Sequence, residues 1–313
     1  MRVRTAVLTI TGVAALVLLL ALMASSANEP TVGHRSTPGR ASAGRRPPAV
    51  RNTYGSELAP ASQRVRPGGM PGLESGLLFD VNSGRVMWER QPTRVLAIAS
   101  LTKMMTALVV VAHSRPGARV LITHAAVDFS GSGVGLLPLG KRVPLEPLLY
   151  GLLLPSGNDA AIALAQHVAG TQQRFTAMMN ARARAMNLRC THFTSVSGIV
   201  DQGNHSCASD LAVIADAVVH QPVLAPIVAT RSAVLPFPIK GGKLWLYNNN
   251  PLLLSRYVGT DGVKTGFTTL AGACLVATAR RGTRWLGVVL LHSDDPGDQA
   301  QKLLDAGFAT SAA

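Results

Sequence analysis

The sequence has few aromatic residues, and this scarcity restricts what the chain can bind. Phe, Trp and Tyr together make up only 4% of the 313 residues. Proteins that bind single-stranded nucleic acid without regard to sequence stack the bases on aromatic rings, so this class is a poor match. We therefore expect no nucleic-acid partner, although the formal net charge is +14. Hydrophobic residues make up 47%, which is enough for a large core and argues against disorder throughout.

Motifs of several enzyme classes are also missing. The sequence contains no Gly-x-Ser-x-Gly nucleophile elbow and no zinc-binding His-Glu-x-x-His. Residues 135–141 fit the first seven positions of a phosphate-binding loop, but Arg142 stands where Ser or Thr would hold magnesium. Pro138 also lies inside that stretch. We therefore predict neither a zinc site nor a phosphate loop.

Positive charge is concentrated at the N-terminus, where the first 70 residues contain nine Arg and two Glu. Residues 1–27 combine a basic start with an apolar run from Ala6 to Ala24, the order typical of an export signal. Ser25 and Ala27 then suit a cleavage site. The run is also long enough to serve as an uncleaved membrane anchor. Both alternatives place the remainder of the protein in the cell envelope, outside the cytoplasm.

Residues 28–72 have the composition of a linker. They are rich in Pro, Gly, Ser, Ala and Arg and contain almost no periodic apolar residues. A flexible coil of this length spans about 35 Å, enough to hold a domain off a membrane. Its arginines either stay solvated or adhere weakly to an anionic membrane or wall polymer. We expect the folded domain to occupy residues 73–313.

The remaining sequence predicts a mixed α/β domain. Strands are predicted over 76–81, 85–89, 261–265, 271–279 and 284–291. Helices are predicted from residue 100 onward and over 145–153, 159–168, 172–186, 208–219 and 298–304. Asn82-Ser83-Gly84, between the first two strands, is a hairpin signal. We expect an antiparallel sheet packed by helices, plus a helical subdomain, with the active site between them.

Ser100-Leu101-Thr102-Lys103 is the only Ser-x-x-Lys in the chain. A spacing of three places the hydroxyl and the amine on one face of a helix, where the amine can take the hydroxyl proton. Lysine is scarce, with six residues against 24 Arg, yet two of the six lie in candidate motifs. Arg cannot give up its proton to act as a base, whereas Lys can when burial lowers its pKa. Alone, the string is equally compatible with an exposed helix start.

A second string, Ser156-Gly157-Asn158, lies in a break between two predicted helices. On a loop, its hydroxyl can relay a proton while its carboxamide fixes a peptide group of a substrate. Taken alone, the string is also explained as a helix cap.

A third string, Lys264-Thr265-Gly266, lies on a predicted strand and is followed by Phe267. Its cation and hydroxyl suit the capture of a carboxylate, and its Gly lets another backbone approach closely. Taken alone, it is also explained as an ordinary strand end.

Together and in this order, the three strings are far more specific than any one of them. They make the chain resemble the serine penicillin-recognising enzymes, and within these the D-alanyl-D-alanine carboxypeptidases of peptidase family S11. The resemblance covers about residues 71–308 and includes the hairpin at 76–89. It implies the α/β (α+β) fold of serine β-lactamases and DD-peptidases, with an antiparallel sheet flanked by helices and a helical subdomain that carries Ser156.

The resemblance also implies a role for each motif residue. Three residues would be catalytic, namely Ser100 as the acylated nucleophile, Lys103 as its base and Ser156 as the proton shuttle to the leaving amine. The residues that would bind the substrate are Asn158, Lys264, Thr265, Gly266 and Phe267. Asn158 would hold a peptide carbonyl of the substrate, and Lys264 and Thr265 would bind the terminal carboxylate. The backbone amides of Ser100 and Phe267 would form the oxyanion hole.

The reaction implied by the resemblance is removal of the terminal D-Ala from peptidoglycan stem peptides through an acyl-enzyme. Penicillins and other β-lactams would inhibit it because they resemble the D-Ala-D-Ala end. No metal or organic cofactor is implied. Many family members continue into a β-rich domain and a C-terminal anchor, whereas this sequence ends at Ala313. We therefore expect any membrane attachment to come from the N-terminus.

Two alternatives use the same fold. A class A β-lactamase needs a Glu downstream of the second motif for deacylation, but all five Glu precede Ser156. An Asp remains a possible substitute in that role. The other alternative is a non-catalytic sensor or wall-binding module, against which the three intact motifs argue.

Three cysteines in an exported chain allow one disulfide. Cys190 and Cys207 flank a 16-residue loop rich in Ser, Thr and Gly. Closing such a loop stabilises a fold by about 3 kcal/mol. We predict this pair, with Cys274 buried and free in its strand; the alternative is three reduced thiols.

Overall fold

The computed structural model describes residues 57–310. The strands in this part of the chain are β1 (Ser75–Asp80), β2 (Val86–Arg90), β3 (Leu96–Ala97), β4 (Arg119–Leu121), β5 (Arg142–Pro144), β6 (His205–Ser206), β7 (Ser232–Pro236), β8 (Lys243–Tyr247), β9 (Thr260–Thr268), β10 (Gly272–Arg281) and β11 (Arg284–Ser293). The α-helices are α1 (Thr102–His113), α2 (His124–Val127), α3 (Leu145–Leu153), α4 (Asn158–Ala169), α5 (Gln172–Ala185), α6 (Ala208–Val219), α7 (Leu224–Val228), α8 (Pro251–Leu254) and α9 (Pro296–Ala309). The predicted signal or anchor at 1–27 lies outside the described residues.

Five strands form one antiparallel sheet in the order β2-β1-β11-β10-β9. The predicted hairpin joins β1 to β2 through a tight turn, in which the Gly84 N–H donates to the Asp80 carbonyl at 2.8 Å. The Asp80 carboxylate accepts from the Ser83 N–H at 2.8 Å and fixes the same turn. β9 lies at one end of the sheet, so one of its edges has no neighbouring strand in this sheet.

Side chains of the central strands alternate between two cores, as the pleat of a strand requires. Leu77 and Phe79 of β1 lie in the core shared with α1 and α6. Leu78, between them, lies in a second core with Leu303 and Leu304 of α9. Helices therefore cover both faces of the sheet, and the predicted α/β (α+β) class with a helix-flanked antiparallel sheet is confirmed.

A group of helices, α2 to α5, packs together beside the sheet. α3 ends at Leu153, just before Pro155, and α4 ends where Gly170 adopts φ 76°. A left-handed residue at this position is a common helix stop because Gly has no Cβ to clash. Between these two helices lies the turn that contains Ser156.

Residues 57–72 differ from the linker prediction. The Ala59 N–H donates to the Val86 carbonyl at 2.8 Å, and the Val65 N–H donates to the Met87 carbonyl at 2.9 Å. Ala59, Val65 and Met70 are buried in the core beneath α9. These apolar residues are few and irregularly spaced, so composition does not reveal them. The predicted boundary at residue 72 therefore lies inside the packed structure, while residues 28–56 fall outside the described part.

Within residues 57–310, no helix combines the length and apolar character needed to cross a membrane.

Candidate active site

Ser100 lies in a short 3₁₀ turn, Ala99–Leu101, that runs directly into α1. Ala99 adopts φ 46°, an unusual conformation for a residue with a side chain. Its carbonyl accepts a hydrogen bond from Thr102 Oγ1 at 2.8 Å. Gly198 packs so closely that a Cβ at that position would overlap the same carbonyl. The turn before the nucleophile is therefore fixed from two sides.

Lys103 is fully buried on the first turn of α1. Its Nζ lies 2.8 Å from each of three oxygens, Ser100 Oγ, Asn158 Oδ1 and the Ser197 carbonyl. A neutral amine has two N–H donors and one lone pair. It can therefore donate to the two carbonyl-type oxygens and accept the hydrogen bond of the Ser100 hydroxyl, which is the arrangement a general base requires.

The electrostatic surroundings favour this neutral amine. Burial lowers the pKa of Lys103 well below its ordinary value, and the nearby Lys264 ammonium lowers it further, against a smaller opposing effect of Asp159. Lys264 is itself buried on β9, and burial lowers its pKa to about 7. Its Nζ donates to the Thr265 carbonyl at 2.9 Å. The structure thus places two buried amines in one site, where the charge of Lys264 disfavours a charge on Lys103.

The second string forms the opposite wall of the site. Asn158 begins α4, and besides its contact with Lys103 it donates through Nδ2 to the Ser130 carbonyl at 2.7 Å. Ser156 adopts φ 69°, and its buried Oγ has no hydrogen-bond partner within residues 57–310. In the same part of the chain, no hydrogen bond joins Ser156 directly to Ser100 or Lys103. Its hydroxyl remains available to a bound molecule.

The third string lies on the free edge of β9. Gly266 pairs with Cys274 of β10 on one side. On the other side, a Cβ at Gly266 would lie 3.0 Å from the Ser100 backbone nitrogen and 3.1 Å from the Ala99 Cβ. Only Gly allows the strand to pass so close to the nucleophile turn. The Ser100 N–H therefore lies beside Gly266 of β9. The next residue along the strand is Phe267, whose side chain is 72% exposed.

Asp159 is a supporting residue that the sequence did not reveal. Its buried carboxylate accepts hydrogen bonds from the backbone N–H groups of Val134 at 2.9 Å, Gly135 at 3.0 Å and Ala160 at 2.8 Å. Burial raises its pKa. These contacts tie the segment before β5 to α4, and the same segment supplies the Ser130 carbonyl to Asn158. In the sequence, Asp159 is indistinguishable from an ordinary acidic residue in a first helical turn.

The segment Cys190–Cys207, here called the disulfide loop, forms the third wall. A disulfide joins its two ends, with the Cα atoms 5.6 Å apart, while Cys274 is buried and free. Besides the Ser197 carbonyl, the loop offers the Val196 carbonyl to Thr106 Oγ1 at 2.7 Å. Asn204, fully buried, donates to Thr102 Oγ1 at 2.8 Å. These partners escaped prediction because two of them are backbone carbonyls, which carry no sequence signal.

Two cavities meet at Ile199 of the disulfide loop. One, of about 520 Å³, extends past Asn158 and Ser130 toward Asp128. The other, of about 580 Å³, lies along the end of β9 and the turn that follows it. The residues that line this second cavity are Ile199, Asp201, Phe267, Thr268, Thr269 and Leu270. The first cavity is lined by Asn158 and Ser197, both of which contact Lys103, and the second by Phe267, next to Gly266.

Known proteins are similar to this chain in sequence and in fold. A family model described as peptidase S11, D-alanyl-D-alanine carboxypeptidase, matches residues 72–295. The chain is 31% identical over 244 residues to the D-alanyl-D-alanine carboxypeptidase DacF of Bacillus subtilis, covering 75% of this chain and 62% of that protein. It is 36% identical over 262 residues to DacB2 of Mycobacterium tuberculosis, with coverages of 80% and 88%. The chain thus spans about three fifths of the length of DacF.

A solved structure with the same family description is also similar to this chain. The crystal structure of a D-alanyl-D-alanine carboxypeptidase from Mycobacterium tuberculosis H37Rv superposes with a TM-score of 0.73 at 34% sequence identity. The match covers 79% of this chain and 97% of that one. At this level of identity, the likeness extends to sequence as well as fold.

Proposed function

Because the chain belongs to the D-alanyl-D-alanine carboxypeptidases of peptidase family S11, we propose that it removes the terminal D-Ala from peptidoglycan stem peptides. The observation that carries the proposal is the buried Lys103 amine, 2.8 Å from Ser100 Oγ. A nucleophile and a base at hydrogen-bond distance, with the pKa of the base lowered by burial and a neighbouring cation, are the minimum needed for serine acyl transfer.

In the acylation step, Ser100 Oγ attacks the carbonyl carbon of the penultimate D-Ala. Lys103 Nζ takes the hydroxyl proton as the C–O bond forms. The proton then passes to the leaving nitrogen through Ser156 Oγ, the C–N bond breaks, and free D-Ala departs. The buried, unpartnered Ser156 hydroxyl supports this relay because it has no competing protein partner within residues 57–310.

Binding groups surround the scissile bond on both sides. Lys264 and Thr265 would take the terminal carboxylate, with the ammonium supplying a charge-assisted hydrogen bond. Asn158 would donate to a peptide carbonyl of the substrate. The backbone N–H groups of Ser100 and Phe267 would stabilise the oxyanion, and Gly266 keeps β9 close enough for both to reach it.

In the second step, water attacks the acyl carbon while Lys103 Nζ takes a proton from it. The bond between the acyl carbon and Ser100 Oγ then breaks, and Lys103 returns the proton to Ser100 Oγ. Every group needed belongs to this chain, so the mechanism calls for no metal or organic cofactor. β-Lactams would acylate Ser100 in the same way, but their leaving nitrogen stays tethered to the acyl group. We place the protein in the cell envelope, where this substrate lies, exported or anchored through residues 1–27. Contact of the basic linker with anionic membrane or wall polymer is part of the same proposal.

The direct test is release of D-Ala from Nα-acetyl-Lys-D-Ala-D-Ala by the full chain, with Ser100→Ala as the control. We expect steady release by the wild type and none by the variant. A matched peptide ending in L-Ala-L-Ala should not be cleaved. Release by Ser100→Ala, or no release by a wild type that folds normally in circular dichroism, would contradict the proposal.

A further inference from the structure

The hairpin formed by β7 and β8 has one buried face and one exposed face. Val234 lies opposite Trp245 in the pairing, and side chains two residues apart on a strand share a face, so Tyr247 lies beside them. These three side chains are exposed by 46%, 61% and 61%. Leu244 and Leu246, on the other face, are buried in the core with the helices. The exposed face, here called the hairpin face, consists of Ser232, Val234, Pro236, Lys243, Trp245 and Tyr247.

A groove lies at the end of this hairpin, between the loop that joins β7 to β8 and residues 136–141. Its volume is about 660 Å³. Leu, Pro and Ile side chains line it, together with two charged residues, Lys141 and Lys240. Leu136, one of the lining residues, is 81% exposed. The groove therefore adds an apolar recess with two cations to the hairpin face.

The two segments that build this surface carry positive charge only. Residues 217–260 and 129–145 contain no Asp or Glu. Among their exposed cations, Lys141, Lys240 and Lys243 form no ion pair with any residue of 57–310. The surface therefore offers exposed apolar groups and uncompensated cations side by side.

This combination matches the surface of an anionic bilayer. Large exposed apolar patches mark interaction sites. Trp and Tyr are favoured at the boundary between lipid headgroups and acyl chains, and lysines near an anionic membrane are attracted to its surface charge. A soluble polyanion would neutralise the lysines but leave Trp245 and Leu136 in water. A second copy of this chain would bring like charges together.

We propose that the hairpin face and its groove dock on an anionic phospholipid bilayer, with Trp245 and Tyr247 at the headgroup level and Lys141 and Lys240 against lipid phosphates. The surface belongs to the folded domain and is distinct from the basic linker. The proposal goes beyond the carboxypeptidase function and does not depend on it.

The hairpin is joined to a wall of the active site by a short connection. Asn249, just beyond β8, donates from its backbone N–H to the Leu154 carbonyl at 3.3 Å. Its side chain donates to the Pro155 carbonyl at 3.4 Å. Both acceptors directly precede Ser156. Docking through the hairpin therefore holds the Ser156 turn in a fixed orientation relative to the bilayer.

Quenching of tryptophan fluorescence by lipids with brominated acyl chains tests the docking in the full chain. None of the three tryptophans lies in residues 1–72, so an anchor or linker on the bilayer gives no signal of its own. Trp245 is exposed, whereas Trp88 is half-buried and Trp285 buried. With vesicles of equal parts phosphatidylglycerol and phosphatidylcholine, we expect strong quenching in the wild type. Most of it should be lost in Trp245→Phe.

The charge is tested by the paired change Lys240→Gln with Lys243→Gln. It should raise the lipid concentration at half-maximal quenching about tenfold or more, because each lysine near an anionic surface contributes several-fold to affinity. Vesicles of phosphatidylcholine alone should quench the wild type only weakly. The matched control, Lys302→Gln with Arg184→Gln, removes the same charge at exposed positions on α9 and α5 and should behave like the wild type.

Absence of quenching in the wild type, or equal quenching in the Lys240 and Lys243 variant, would overturn the proposal. Trp245 emission that shifts with soluble polyphosphate but is not quenched by the lipids would assign the surface to an anionic polymer instead. A dimer in ultracentrifugation that Trp245→Ala dissociates, without quenching, would assign it to a second copy. Acylation of Ser100 by benzylpenicillin in solution should stay at the wild-type rate in these variants, so failure of docking leaves the carboxypeptidase in place.

Discussion

Two buried lysines set the chemistry at the level of single residues. Lys103 has three oxygen partners that suit a neutral amine, and Lys264 lies close enough to lower its pKa. Burial lowers the pKa of Lys264 to about 7, so this side chain carries charge below that pH. In the proposed mechanism the pair divides two tasks between two identical side chains, with Lys103 as the base and Lys264 as the cation.

Replacing Lys103 by Arg tests the base. Arg keeps the positive charge but cannot give up a proton, so acylation by benzylpenicillin should fall by about 10²- to 10⁴-fold. The rate is measured by intact mass against time. Lys302→Arg, a matched change at an exposed position on α9, should acylate at the wild-type rate. Normal acylation by Lys103→Arg would exclude Lys103 as the base.

The pKa of Lys264 predicts a pH dependence. Below about pH 7 the folded protein keeps Lys264 charged, and above it the side chain loses its proton, so attraction for a substrate carboxylate declines as pH rises. We expect kcat/KM for the Lys-D-Ala-D-Ala peptide to fall on the alkaline side with an apparent pKa close to that value. Lys264→Arg should remove this alkaline limb, because Arg stays charged throughout.

The control for this profile is the thermal unfolding of Lys264→Arg, since the position is buried. If the variant folds and retains the same alkaline limb, another group is responsible for it.

At the level of secondary structure, the site depends on how closely β9 passes the turn before α1. A methyl group at Gly266 would meet three atoms at 3.0 to 3.1 Å, one of them the Ser100 nitrogen. Gly266→Ala should therefore displace the strand from the nucleophile and slow acylation by about 10²-fold, a typical effect of misplacing a catalytic group by an ångström.

Gly69→Ala is the matched control, because a Cβ there meets nothing within 4 Å. It should acylate like the wild type in the same stopped-flow assay with a chromogenic β-lactam. Unchanged acylation by Gly266→Ala would show that the close approach is not needed.

The disulfide loop supports both the base and the nucleophile turn, through Ser197 and Asn204. The paired change Cys190→Ser with Cys207→Ser should lower the free energy of unfolding by about 3 kcal/mol, measured in urea. It should also slow acylation by about 10-fold or more, because the carbonyl that orients Lys103 loses its fixed position.

The free Cys274 provides the control for this prediction. Treatment of Cys274→Ala with a reductant should cause the same losses as in the wild type, since the third thiol takes no part. Wild-type stability and a wild-type acylation rate in the paired Ser variant would show that the disulfide does not support the site.

Sequence periodicity was a good guide to the helices and a poor one to the contacts within the site. The bounds predicted for α3 and α6 match the structure, because both helices have regular apolar spacing and defined ends. The predicted closing helix was too short, since Asp295 caps it earlier and it continues to Ala309. The Ser197 carbonyl and the left-handed Ala99 depend on tertiary packing, which no local pattern encodes.

At the level of the whole molecule, the proposed catalytic and binding groups come from three separate structural parts. Ser100 and Lys103 lie in the turn before α1 and in its first turn, Ser156 lies between α3 and α4, Asn158 begins α4, and Lys264 lies on the edge strand β9. The motif order predicted this convergence only through the family resemblance. The packing of residues 57–72 was missed because its apolar residues follow no helical or strand period.

The measurement that bears most directly on the whole mechanism is the intact mass of the full chain after mixing with benzylpenicillin, followed by peptide mapping. We expect one lasting adduct of the whole drug, located on Ser100 and absent from Ser100→Ala. An adduct elsewhere, or none on a folded wild type, would contradict acyl transfer at this site. Rapid drug turnover without a lasting adduct would favour a β-lactamase over the carboxypeptidase.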